Sequence, residues 1–190
     1  EYDSGVVFGK GEVAPDVEED VQDVSFTFAV TDPALWSAEQ PNLYEAEIAL
    51  LREGALVERT GLKVGLRKFE LKDRQMLLNG QRIVFKGVNR HEWSCRTGRT
   101  VSREEMLWDV KNLKAHNVNA VRTSHYPQSQ YFLDECDRRG LLVFTELPGW
   151  QHIGDDNWKD AACEMLQEML LQNRNHPSII LWLSLIHISE

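Results

Sequence analysis

Three apolar runs in this chain each end in a cluster of ionisable or aromatic residues. Ile83 to Val88 leads into Asn89-Arg90-His91-Glu92, Val118 to Thr123 into Ser124-His125-Tyr126-Pro127, and Leu141 to Phe144 into Thr145-Glu146-Leu147-Pro148-Gly149-Trp150. Parallel strands covered on both faces read as short continuous apolar runs. In α/β barrels the binding and catalytic side chains collect where such strands meet the following helices. The pattern therefore predicts a (β/α)8-type barrel whose polar clusters share one rim.

The segments between these runs have helical signals. Ser102 with Glu105 forms a capping box, after which Met106, Val110 and Leu113 recur at helical spacing, predicting a helix from about 103 to 116. Ser129 is placed to cap a second helix, with Phe132 and Cys136 on one face, Asp134 spaced to pair with Arg138, and Gly140 as the stop. Trp158, Ala162, Met165 and Met169 form the stripe of a third, which must end before His176-Pro177. Ile179 to Trp182 reads as a fourth strand. Four strands with three intervening helices amount to the first half of an eight-stranded barrel.

The organisation differs before residue 70. Val24, Phe26, Phe28 and Val30 alternate with Ser25, Thr27 and Ala29, and Tyr44, Ala46, Ile48 and Leu50 show the same period, interrupted at Asp32-Pro33 and Arg52-Glu53-Gly54. These are expected to be half-buried antiparallel strands, and the predicted fold is part of an immunoglobulin-like β-sandwich over residues 1–70. A hairpin follows, its arms Gln75 to Leu78 and Arg82 to Phe85 joined by Asn79-Gly80, a pair suited to a type I′ turn. It leads into the barrel segment, residues 71–182.

A length of 190 residues and a net charge of -9 describe a chain that can bury a core and has no Lys/Arg block for a nucleic-acid backbone. A neutral ligand such as a sugar fits that balance. Cys95, Cys136 and Cys163 have no C-x-x-C spacing, which argues against a disulfide framework or structural zinc and favours a reducing, cytoplasmic compartment. Cys136 and Cys163 fall on helices and read as small buried hydrophobes. No run reaches the roughly 18 apolar residues of a membrane span.

Read by residue type alone, Glu92 and Glu146 are the carboxylates a barrel hydrolase would use as acid and base, or else groups that support other side chains. His91 and His125 are either ligand-contacting groups or histidines satisfied by backbone. Arg122, on a strand, needs a carboxylate and either orients the acidic residues or binds ligand. Asn89 has a claim to a hydroxyl contact. Trp150 offers an apolar face to a sugar ring or packs its loop, and Tyr126 reads as packing. A metal-dependent hydrolase using His91, Glu92, His125 and Glu146, with His152 nearby, is a separate alternative.

Four ordered stretches carry a resemblance. Phe85-Lys86-Gly87-Val88-Asn89-Arg90-His91-Glu92, Asn119-Ala120-Val121-Arg122-Thr123-Ser124-His125-Tyr126-Pro127, Cys136-Asp137-Arg138-Arg139-Gly140-Leu141 and Asn173-Arg174-Asn175-His176-Pro177-Ser178-Ile179-Ile180-Leu181-Trp182 resemble successive signatures of glycoside hydrolase family two. Upstream, Leu35-Trp36-Ser37-Ala38-Glu39-Gln40-Pro41-Asn42-Leu43-Tyr44 and Val64-Gly65-Leu66-Arg67-Lys68 are similar to the end of that family's immunoglobulin-like domain. The overall pattern is most similar to the β-galactosidase type.

The resemblance implies retaining hydrolysis of β-glycosides by two carboxylates about 5 to 5.5 Å apart. It places the acid/base in an Asn-Glu pair shortly after the fourth strand and the nucleophile on the seventh, so no residue here is assigned a catalytic role. His91, His125, Arg122, Asn89, Glu92, Glu146 and Trp150 are the expected substrate-binding set. Some members hold magnesium through a glutamate and a histidine whose positions match Trp150 and His152. With the carboxylate replaced by tryptophan, neither a metal site nor any other cofactor is expected. The expected partner is a β-linked glycoside, with no nucleic acid or membrane, and family members are often homo-oligomers. The chain is expected to be a fragment truncated at both ends and inactive alone, with sugar-binding capacity as its residual function. Residues 183–190 depart abruptly from the family pattern, match a translated sequencing adapter, and are expected to be a non-native tail.

Overall fold

The computed structural model describes residues 25, 27, 29–149 and 152–184. The chain divides into two compact units, residues 1–34 and 35–190. The expected strand over 24–30 falls largely outside the described residues, which include none of Val24, Phe26 and Phe28.

The β-rich part of the second unit consists of local antiparallel pairings. β1 (Tyr44–Arg52) pairs with β2 (Ala55–Val64) around a turn in which Glu53 and Gly54 have φ of 51° and 79°. The alternation predicts a half-buried face, but Ile48, Leu50, Leu51, Leu56 and Val57 are all exposed, and among the described residues no second layer lies against those side chains. β3 (Phe69–Lys72), β4 (Gln75–Leu78) and β5 (Gln81–Arg82) form a meander. Asn79 and Gly80, at φ 52° and 78°, make the expected left-handed turn. The last strand is shorter than the predicted arm. The Asn119 side chain takes the next backbone groups, donating to the Val84 carbonyl at 2.9 Å and accepting from the Lys86 amide at 2.7 Å. This interaction diverts the chain from the hairpin into the barrel sheet.

That sheet is parallel, with strands in sequence order: β6 (Gly87–Arg90), β7 (Ala120–Thr123), β8 (Leu142–Glu146) and β9 (Ile179–Leu183). The intervening helices are α1 (Arg103–Ala115), α2 (Gln130–Arg139) and α3 (Asp156–Asn173). This is half of a (β/α)8 barrel. Successive strand residues point to opposite faces, and both faces are covered over most of β7 and β8, while Gly87, Val88 and Asn89 of β6 are exposed. Val121, Val143 and Ile179 pack with Val110, Phe132, Leu133 and Cys136 of the helices. Ala120, Leu142 and Ile180 pack with Trp36 and Leu78 on the other side. This two-sided burial is why the strands read as continuous apolar runs.

The helix ends show which local signals act. Ser102 Oγ accepts from the Glu105 amide at 3.2 Å while Glu105 Oε2 accepts from the Ser102 amide at 3.0 Å, the predicted capping box. Ser129 stands at the N-cap of α2, but its side chain makes no capping bond. Glu92 Oε1 instead accepts from the Ser129 amide at 3.2 Å. The expected Asp134–Arg138 pair is replaced by Glu135, which binds Arg138 at 2.6 Å and Arg139 at 2.8 Å; these two spacings place both cations beside one carboxylate. Gly140 closes α2 at φ 69°, and a Cβ there would stand 2.3 Å from the Ala38 carbonyl oxygen.

On α3, Ala162 and Met169 are buried, with Trp158 and Leu166 half-buried beside them. Met165, predicted on this stripe, is 39% exposed because the facing row runs 158, 162, 166, 169. Cys163, next to Ala162 but about 100° around the helix, is exposed rather than buried. Cys136 is buried as expected. Among the described residues, no helix is long and apolar enough to cross a membrane.

Candidate active site

Strand register builds the site in rows. Asn89 of β6 lies opposite Arg122 of β7, and Arg122 lies opposite Phe144 of β8. These residues line one open concave surface with Phe85, Gly87 and Ala120. The floor is aromatic, Phe85 and Phe144 meeting edge to face at 4.9 Å. At Gly87 any side chain would meet the Ala120 carbonyl oxygen at 3.0 Å, so glycine keeps the first two strands close. Alternation then turns Arg90 to the helical side. It is held there by Asp109, at 2.9 Å from Nε and 2.8 Å from Nη2, by Gln128, and by the Phe132 ring 4.1 Å from its guanidinium carbon.

Glu146 ends β8, fully buried. Arg122 Nε donates to its Oε2 at 2.8 Å and Nη2 to its Oε1 at 3.0 Å, a fork that engages both carboxylate oxygens. The Glu146 amide also donates to Thr123 Oγ1 at 3.2 Å. His125 Nδ1 is 3.1 Å from Glu146 Oε1 and 3.3 Å from Arg122 Nη2. Of those neighbours only the carboxylate can accept, so the proton belongs on Nδ1, and in the neutral ring Nε2 is the acceptor.

The His91 ring is exposed and meets His125 edge to face at 5.5 Å, with Tyr126 at 6.5 Å. The structure thus brings Asn89, His91, Arg122, His125 and Glu146 together on one rim. Glu92 is turned away from the concave surface, toward the start of α2 and Arg90 Nη1 at 3.8 Å. Trp150 lies outside the described residues. His152 is exposed and packs edge-on to Trp158 at 5.5 Å.

Among the described residues, the ligand-type group close enough to hold a cation is Asp134, Asp137 and His176, away from this rim. Two of its members are already bonded: His176 Nδ1 to Asp137 Oδ2 at 2.6 Å, His176 Nε2 to Gln130 Oε1 at 3.0 Å, and Asp137 Oδ1 to the Ser178 amide at 3.0 Å. Sequence reasoning missed this group, and also missed Arg90 and Gln128. The available signal for Arg90 was its place one residue after Asn89 on a strand, which sends it to the opposite face.

Residues 69–185 match the family model described as "Glycosyl hydrolases family 2, TIM barrel domain", and residues 4–67 match one described as "Glycosyl hydrolases family 2". The chain is 42% identical over 178 residues to a β-galactosidase of Lactobacillus delbrueckii subsp. bulgaricus, covering 85% of this chain and 18% of that protein. It is 45% identical over 163 residues to a β-galactosidase of Streptococcus thermophilus, covering 77% and 16%. Among solved structures it is similar to Bacteroides uniformis β-glucuronidase 3, with a TM-score of 0.76 and 35% identity over 85% of this chain and 21% of that one. The chain therefore spans roughly a fifth of the length of these relatives.

Proposed function

The chain belongs to glycosyl hydrolase family 2, and from that membership we propose that it supplies the sugar-binding rim of a retaining β-glycosidase, of β-galactosidase type. In this reading the carboxylate that attacks the anomeric carbon and the one that protonates the departing oxygen both lie outside these residues. The stretch after Trp182 reads Leu183-Ser184-Leu185-Ile186-His187-Ile188-Ser189-Glu190, without an Asn-Glu pair. His91, His125 and Asn89 are assigned to sugar hydroxyls, with Trp150 as a stacking face. Arg122 and Glu146 hold the imidazole of His125 in one orientation, and Glu92 serves the frame behind His91.

The observation that carries this reading is the Arg122–Glu146 fork. Both Glu146 oxygens accept from the guanidinium, so the most prominent carboxylate of the rim is placed to orient neighbours rather than to react. The permanent positive charge beside it also disfavours a metal cation at the same point. His125 Nε2 is then an acceptor for a sugar hydroxyl, a bond able to tighten as charge develops at the anomeric carbon.

The test is hydrolysis of a panel of chromogenic β-glycosides by the 190-residue chain and by the full-length protein that contains it. Turnover by the full-length protein alone supports the reading, and its best substrate names the sugar. Turnover by the 190-residue chain itself would restore Glu92 and Glu146 as the reacting pair and overturn it. Saturable sugar binding by this chain without turnover is its expected residual property.

A further inference from the structure

We propose that Tyr126 is a positioning residue that sets His91 against His125 through the Glu92 peptide. This inference rests on the β-glycosidase reading for its catalytic consequence, although the geometry behind it stands alone. Among the described residues, the His91 ring nitrogens have no hydrogen-bond partner, so the ring's place must come from its packing and from the backbone on either side. Both flanking peptides are held by one segment, residues 124–129, which also carries His125.

On the near side, the Arg90 carbonyl accepts from the Ser124 amide at 3.0 Å and from Gln128 Nε2 at 2.8 Å. On the far side, the Glu92 amide donates to Tyr126 Oη at 3.0 Å, and the Glu92 carboxylate accepts from the Ser129 amide at 3.2 Å. The Tyr126 ring is itself fixed between the His91 ring at 6.5 Å and the Arg99 guanidinium at 5.1 Å. The phenol oxygen therefore receives its hydrogen bond from the peptide immediately after the imidazole it packs against. By sequence Tyr126 is a packing residue. In the structure its hydroxyl joins the loop after β6 to the loop after β7, and each loop carries one of the two histidines.

The arrangement has a chemical consequence. If His91 and His125 bond adjacent sugar hydroxyls more strongly in the transition state than in the ground state, their mutual spacing must be fixed before the sugar arrives. Tyr126→Phe keeps the ring against His91 and Arg99 and removes only the oxygen. The Glu92 amide then loses its partner, and the loop bearing His91 gains freedom without losing its packing.

The experiment has two arms. In the full-length protein, Tyr126→Phe is expected to lower kcat by roughly 10- to 100-fold, as a misplaced contact does, with KM changed less than threefold and the melting midpoint kept within about 3 °C. In the 190-residue chain, the His91 Cε1 proton resonance, assigned through His91→Gln, is expected to shift or broaden in Tyr126→Phe while those of His116 and His176 stay in place. Unchanged kcat in an active enzyme, a kcat loss matched by a fallen melting midpoint, or an unmoved His91 resonance would each overturn the proposal. If the unsubstituted full-length protein hydrolyses no β-glycoside, the glycosidase reading fails instead, and the resonance arm still decides whether Tyr126 positions His91.

Discussion

His176 Nδ1 stands 2.6 Å from Asp137 Oδ2, joining the segment before β9 to α2 at the end of the barrel away from the histidine rim. The bond ends a polar chain with a fixed direction. The Met169 carbonyl can only accept, so Asn173 turns its amide nitrogen to it at 2.9 Å; Asn173 Oδ1 then takes Gln130 Nε2 at 2.6 Å, which leaves Gln130 Oε1 facing His176 Nε2 at 3.0 Å. Asp137→Asn keeps an oxygen for the Ser178 amide but faces His176 Nδ1 with a neutral amide in place of the carboxylate. A loss of about 1 to 3 kcal/mol is expected from urea unfolding, the cost of leaving a hydrogen-bonding group without its proper partner. A change under 1 kcal/mol would remove this network from the stability of the fold.

Arg122→Lys tests the fork on β7. Lysine keeps the charge but cannot present two parallel N–H bonds to Glu146, and its ammonium does not fit the planar carboxylate as the guanidinium does. The expected cost is about 1.5 to 3 kcal/mol by denaturant midpoint, the worth of one charged hydrogen bond. Orientation of His125 should suffer as well, because its Nδ1 shares Glu146 Oε1 with the lost Nη2 donor. Wild-type stability in Arg122→Lys would show that one bond to the carboxylate is enough.

Much of the barrel was legible because its signals are local. A capping box, an Asn-Gly turn and apolar runs without alternation each report a backbone requirement that few other residues meet, and all three appear where they were read. What failed depended on the surroundings. Asp134 and Glu135 are both spaced for helix pairs, and only the three-dimensional face shows that Glu135 is the one beside Arg138 and Arg139. Cys163 sits one residue from buried Ala162, and one residue is enough to turn it outward. Within the site, Arg122 was read correctly as needing a carboxylate, yet nothing in a linear sequence identifies Glu146 rather than Glu92 as its partner. The bond from Glu92 to α2 and the reach of Tyr126 across two loops are long-range relations with no sequence period.

The three cysteines should separate cleanly by reactivity. Cys95 and Cys163 are exposed, whereas Cys136 is buried among Val110, Phe132 and Val143, and that burial pushes its thiol well above the usual range. A chromogenic disulfide reagent at pH 8 is expected to modify two thiols quickly in the folded chain and the third only after denaturant is added. Rapid modification of all three would mean that α2 does not stay packed on the sheet.

Glu105 links acid stability to the loop behind the rim. Its carboxyl is held below the ordinary value of 4.5 first by the Ser94 hydroxyl, at 2.6 Å, and then by the amide and hydroxyl of Ser102, each at 3.0 Å. A group whose pKa is lower in the folded state stabilises that state once the unfolded group would also be ionised. The contribution is therefore complete above pH 4.5 and disappears as pH falls through the lower folded value. Glu105→Gln retains the shape of the capping box but has no charge to lose. The stability difference between the native chain and Glu105→Gln, measured by urea unfolding from pH 7 down to pH 3, should stay level to about pH 5 and then shrink. Because Ser94, three residues past His91, anchors the loop that bridges back to Gly98, the same titration should loosen the 94–98 bridge first. Hydrogen exchange at the Ser94 and Gly98 amides, corrected for its own pH dependence, should rise below pH 4.5 in the native chain before α1 opens. A difference that stays constant through the acid range would show that hydrogen-bond shape, and not the carboxylate charge, ties this loop to the helix.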